Sequence, residues 1–76
     1  MEDQLKEILA NIFNIQKSDI NEDSSPETIV AWDSLKHMQL IIMIEEALSI
    51  TITPEEIAEM VDFKKIKEII LEKSKN

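Results

Sequence analysis

Three observations predict an all-α fold, a small four-helix bundle with three longer helices and a short third one. The 76 residues include no Gly and only two Pro, a composition that favours helices over tight-turned sheets. Apolar residues recur at helical spacing in three separate stretches. Asp33, Thr53 and Asp62 each stand where an N-cap is needed, directly before a helical pattern.

The first helix is expected from Glu2 to Phe13. There Leu5, Ile8, Leu9, Ile12 and Phe13 fall on one face with charges opposite. Asn14 is a stop, and Ile15 tucks back onto the core. From Gln16 to Ala31 the pattern dissolves into Ser, Asp, Asn, Glu and one Pro, which predicts a long loop anchored by Ile20, Ile29 and Val30. The central helix follows Trp32-Asp33-Ser34-Leu35 and runs through Lys36 to Leu48, with Asp33 as its cap. It carries two apolar stripes: Leu40, Ile41, Ile44, Ala47 and Leu48 on one, and Leu35, Met38 and Ile42 on the other. So short a chain has no interior large enough for both, so the second stripe faces a partner or a bound group.

Ser49 to Ile52 reads as an extended linker, with Ile50 and Ile52 pointing the same way. Thr53-Pro54-Glu55-Glu56 is a capping box with Pro at the first helical position. It opens a short helix ending near Met60 or Val61, with Ile57 and Met60 inward. Asp62 caps a last helix from Phe63 to about Lys73, whose Phe63, Ile66, Ile69 and Ile70 form the buried face. Ser74-Lys75-Asn76 is expected to fray.

Size and charge narrow the function. The chain is expected to be one domain, 1–76, near the lower limit for a self-sufficient core. It has no Cys, hence no disulfide framework and no thiolate metal site. The longest apolar run, Leu40 to Ile44, is far short of the roughly 20 residues that cross a bilayer. Met1-Glu2-Asp3-Gln4 has neither the basic segment nor the apolar stretch of a signal peptide, so a soluble, cytoplasmic protein is expected.

The net charge of −8 is uneven: residues 1–62 sum to −11 and residues 63–76 to +3. Phosphate backbones would be repelled, which excludes nucleic acid and favours basic protein surfaces as partners. An acidic surface also serves solubility alone.

Little here could catalyse. Asp33, Ser34 and His37 lie within one turn, but neighbouring positions on one helix rarely converge on a reacting atom, and a domain this small is not expected to hold a cleft. The chain is therefore not expected to be an enzyme. His37 reads as a half-buried residue at the edge of the core. Asp19, Asn21, Asp23, Ser25 and Glu27 imitate the opening of an EF-hand loop. Ser24 stands where that loop turns on Gly, and Val30 where it closes with a bidentate Glu, so no metal site is expected.

Ser34 is the residue with a specific reading. At the start of a helix its hydroxyl lies at the positive end of the macrodipole, where an anion is favoured. Asp33-Ser34-Leu35, with Met38, Leu40 and Glu45-Glu46 behind it, resembles the acyl carrier protein family. The resemblance covers nearly the whole chain in size, acidity and helix order.

It implies a 4′-phosphopantetheine arm attached to Ser34, with Asp33 assisting the modification and the arm's thiol holding the cargo as a thioester. It implies that Leu35, Lys36, Met38, Ile42, Glu45 and Glu46 meet partner enzymes. Ile52, Ile57 and Met60 would shelter an acyl chain. The partners implied are a phosphopantetheinyl transferase and acyl-loading and acyl-processing enzymes with basic docking surfaces, meeting a monomeric carrier that touches neither nucleic acid nor membrane. The sequence departs from the family's pattern at Trp32, where a small residue or Gly is usual, and at Lys36, His37 and Gln39, where acidic or small residues are common. A Trp there looks more like discrete carriers of specialised pathways, such as polyketide or surface-polysaccharide assembly, than like carriers of fatty acid synthesis. Two alternatives stay open: a peptidyl or aminoacyl carrier of the same fold, and a cofactor-free helical interaction module.

Overall fold

A computed structural model describes residues 2–75. These residues form four α-helices and no strand: α1 Glu2–Phe13, α2 Ser34–Leu48, α3 Pro54–Glu59 and α4 Phe63–Lys73. The expected bundle, with its short third helix, is what the chain adopts.

The helix ends obey local chemistry. Asp33 accepts a hydrogen bond from the Lys36 N–H at 2.8 Å, and Asp62 does the same for Lys65 at 2.8 Å. At α3 the box is reciprocal, with Thr53 accepting from the Glu56 N–H and the Glu56 carboxylate accepting from the Thr53 N–H. With no Gly available, α1 and α2 end on left-handed Asn14 (φ 56°) and Ser49 (φ 55°). The next residues close each end, Ile15 N–H to Ala10 O and Ile50 N–H to Glu45 O.

Leu5, Leu9, Leu40, Ile44, Phe63, Ile66 and Ile70 make the centre of the core, and α1 packs chiefly on α2. Ile12, Ile15, Leu48, Ile50, Ile57 and Ile69 pack around it, partly covered. Two positions depart from the pattern. Ala47, expected on the inner stripe of α2, is exposed. Val30, expected as a loop anchor, is fully exposed, because the turn that buries Ile29 and Trp32 throws the residue after Ile29 outward.

The long loop is better ordered than its composition suggests. A 3₁₀ turn, Lys17–Asp19, breaks it early, and Ile20 is buried just after. Ser24 is the buried polar residue of the loop. Its hydroxyl accepts the Asn21 N–H at 2.9 Å, and its carbonyl accepts the Phe63 N–H at 2.8 Å. The loop thus caps the free N-terminus of α4 with its own backbone. At the other end Ser74 bonds back to Ile70 through both N–H and hydroxyl, and Lys75 N–H reaches Glu72 O, so these two residues extend α4 as a turn instead of fraying. Asn76 lies outside the described residues.

Lysines tie these elements together. Lys67 reaches Glu22 at 2.6 Å and Glu2 at 3.4 Å, Lys17 reaches Asp3 and Glu7, and Lys73 holds Glu56 at 2.8 Å. Lys73, then the Thr53 backbone, holds the Glu56 carboxyl below its ordinary 4.5, and Lys67 does the same for Glu22. A depressed carboxyl contributes stability that is present above 4.5 and is lost as pH falls through the lower folded-state value. Glu56→Gln should therefore unfold more easily than the wild type at neutral pH, and the gap should close as pH drops well below 4.5. Denaturant titrations at stepped pH read this directly. A gap that persists unchanged in acid would mean that Lys73 contributes nothing through charge.

Candidate functional site

The first turn of α2 organises the site. Asp33 takes the Lys36 N–H, and its carbonyl takes the His37 N–H at 2.8 Å. The N–H groups of Ser34 and Leu35 come before the helical ladder and have no intrahelical acceptor. Ser34 is exposed at this first position, its hydroxyl beside two free donors at the positive helix end. That is a setting for a phosphate ester.

Contrary to expectation, an open cleft of about 710 Å³ adjoins Ser34. The loop supplies one wall with Ser25, Pro26 and Glu27, and the start of α2 supplies Asp33, Ser34, His37 and Met38. The end of α3 supplies Ile57 and Ala58, and the two residues that follow Glu59 supply Met60 and Val61. The cleft lies where the loop, the start of α2 and the stretch around the end of α3 come together. Of the three residues expected to shelter an acyl chain between helices, Ile57 and Met60 line this cleft and Ile52 is not on its lining. It is buried in the core, and its N–H bonds to Glu45 Oε2 at 2.8 Å.

Glu45, expected on the partner surface, is half-buried, and its carboxylate accepts this bond from the linker. Glu46 is exposed, as is the second apolar stripe of α2: Leu35 is 67%, Met38 46% and Ile42 51% accessible. Lys36 is half-exposed between them. Met43, Val61 and Val30 are exposed as well.

Trp32 is the residue that pattern reasoning missed. It is buried, its ring stacked on Phe13 with centroids 5.0 Å apart, and its other neighbour is the His37 ring at 6.1 Å. Its Nε1–H donates to His37 Nδ1 at 3.0 Å. An indole nitrogen can only donate, so Nδ1 is the acceptor, the proton sits on Nε2, and Nε2–H donates to Ile57 O at 3.2 Å. His37 is half-buried, as expected, and links α2 to α3. A signal existed: Trp32 is the residue before the N-cap and His37 the fourth of the helix, the spacing of a hydrophobic staple.

Among the described residues, no group of three or more His, Asp or Glu could hold a metal ion, and no helix is long and apolar enough to cross a membrane.

A family model described as phosphopantetheine attachment site matches residues 3–70, nearly the whole chain. No curated protein matches it. The family match removes the cofactor-free alternative, since this domain is the site of covalent 4′-phosphopantetheine attachment. Such domains are generally non-catalytic and work with phosphopantetheinyl transferases and acyl-processing enzymes. A helical bundle with an exposed serine at a helix start, matched over 3–70, belongs to the phosphopantetheine attachment family: the chain is a phosphopantetheine carrier protein.

Proposed function

We propose that the chain is an acyl carrier protein, one domain over residues 1–76, with its arm on Ser34. One observation carries the assignment: Ser34 is exposed at the first position of α2 and forms part of the wall of an open cleft. Its hydroxyl is accessible to a transferase, the free N–H groups suit the arm's phosphate, and the cleft lies within reach of a tethered cargo. Asp33, kept in place as the cap, holds the first turn in shape for modification. Leu35, Met38 and Ile42 form the docking stripe, and Lys36 and Glu46 set the charge at its edges. Ile57 and Met60 line the acyl side of the cleft. The carrier works as a monomer in the cytoplasm, has no reaction of its own, and serves a specialised acyl or polyketide route. Basic enzyme surfaces are its natural partners, and nucleic acid is not one.

Glu27 and Asp33 on the rim of the cleft favour a second reading, an aminoacyl cargo whose ammonium they would attract. Purified protein treated with a phosphopantetheinyl transferase, coenzyme A and magnesium should gain one phosphopantetheine, mapped by peptide mass to Ser34. Offering the loaded protein to acyl-activating and amino-acid-activating ligases then separates the two cargoes by intact mass. Unchanged mass with two unrelated transferases, on protein folded by circular dichroism, would remove the Ser34 assignment.

A further inference from the structure

We propose that Lys36 and Glu46 fix the sense in which α2 docks. The partner's apolar seat then carries a carboxylate at the end that receives Ser34 and a basic side chain at the other. The proposal rests on the reading of Ser34 as the attachment point and of α2 as the docking face. Leu35, Met38 and Ile42 are exposed in a row along that face. Apolar contact is non-directional, so a groove could take the row either way round. Only one sense brings Ser34, at the start of α2, to the reacting centre.

The charges of α2 supply the missing direction. Its charged side chains are Lys36, Glu45 and Glu46, and Glu45 is taken by the Ile52 N–H. Among the described residues, no ion pair engages Lys36 or Glu46. They stand about 15 Å apart along the axis, positive toward Ser34 and negative away from it. Both oppose the helix that bears them, because the macrodipole favours acids in the first turn and bases in the last. By that rule α1 opens on Glu2 and Asp3, and α3 on Glu55 and Glu56. Where α4 breaks it, at Lys65 and Glu72, each charge is paired, with Glu68 and Lys75. Helix stability therefore accounts for neither Lys36 nor Glu46, and an outside surface of opposite pattern accounts for both. Long-range attraction and close fit differ here. The net charge of −8 draws the chain toward basic surroundings, whereas the serine end of α2 asks for one carboxylate among them.

The test uses the phosphopantetheinyl transferase of the same organism, with coenzyme A and magnesium, and reads initial loading rates by intact mass. Its active site must receive Ser34, so it must seat α2 in the productive sense. Lys36→Glu combined with Glu46→Lys keeps the net charge at −8 and brings both charges into line with the macrodipole. The double variant should melt no lower than the wild type. Its kcat/KM should nevertheless fall by about tenfold or more, since two attractive pairs become repulsive. The loss should lie in KM and should shrink as salt rises. Lys36→Gln combined with Glu46→Gln should fall between the two. Lys64 supplies the control, because it is exposed in the first turn of α4 and equally opposed to its helix. Lys64→Glu should load within about twofold of the wild-type rate. A wild type that gains no mass would count against Ser34 as the attachment point, not against the docking sense. On a wild type that loads, a double variant that loads as fast or faster would overturn the proposal. So would an equal loss in Lys64→Glu, which would mean that net charge alone is read.

Discussion

Ser34→Ala is expected to abolish covalent loading outright while leaving the fold untouched. The hydroxyl is the group that would be esterified, so its loss admits no partial effect on the mass gained with transferase and coenzyme A. Stability should change by no more than about 0.5 kcal/mol, because Ser34 is exposed and alanine is an excellent helix former. Asp33 remains to cap Lys36. Ser25 supplies the control: it lines the same cleft from the loop, yet it lacks a helix N-terminus, and Ser25→Ala should load fully. Intact mass measures both. Loading that survives Ser34→Ala would move the attachment point elsewhere, and loading lost in Ser25→Ala would show that the loop wall is part of what the transferase reads.

Trp32→Ala is expected to be among the most damaging substitutions in the core. Truncating a buried tryptophan costs about 3–5 kcal/mol, against a total of about 5–10 for a domain of this size. The cavity would open between Phe13 and His37, two rings that meet only through the indole. Trp32→Phe separates packing from hydrogen bonding. It keeps an aromatic face for Phe13 but leaves His37 Nδ1 without its donor, which costs about 1–3 kcal/mol. Urea unfolding followed by circular dichroism measures both variants, since the fluorophore itself is removed. A loss below about 1 kcal/mol for Trp32→Ala would show that Phe13 and His37 collapse onto each other without the indole.

The helices were legible because their signals are local. Asp33, Thr53 and Asp62 act within four residues of themselves, and the apolar spacing of α1 and α4 needs no knowledge of neighbours. The exposure of Leu35, Met38 and Ile42 followed from counting: two stripes on one helix exceed what a small core can cover. What stayed hidden depends on distant chain. Ser24 is polar and sits in a loop, and nothing near it in sequence says that Phe63 N–H will need its carbonyl. Glu45 looks like a surface acid until the linker turns Ile52 N–H toward it. Val30 and Ile29 are equally apolar, and only the turn decides which is buried. The cleft is legible in no single stretch, since its walls come from the loop, α2 and α3.

The ion pairs divide the molecule in a way that bears on kinetics. Lysines of α4 are engaged with Glu2, Glu22 and Glu56, whereas among the described residues no ion pair involves α2. The side chains of Glu46 and Lys36 are thus free to answer an approaching surface. Salt would then act twice, and in opposite senses. It screens the self-repulsion of a chain carrying −8, easing folding, and, toward the basic partner surfaces proposed above, it weakens the field by which the carrier orients. The encounter rate should fall with ionic strength while dissociation stays nearly constant, so a busy carrier would lose turnover in salt without losing its grip on any partner already found.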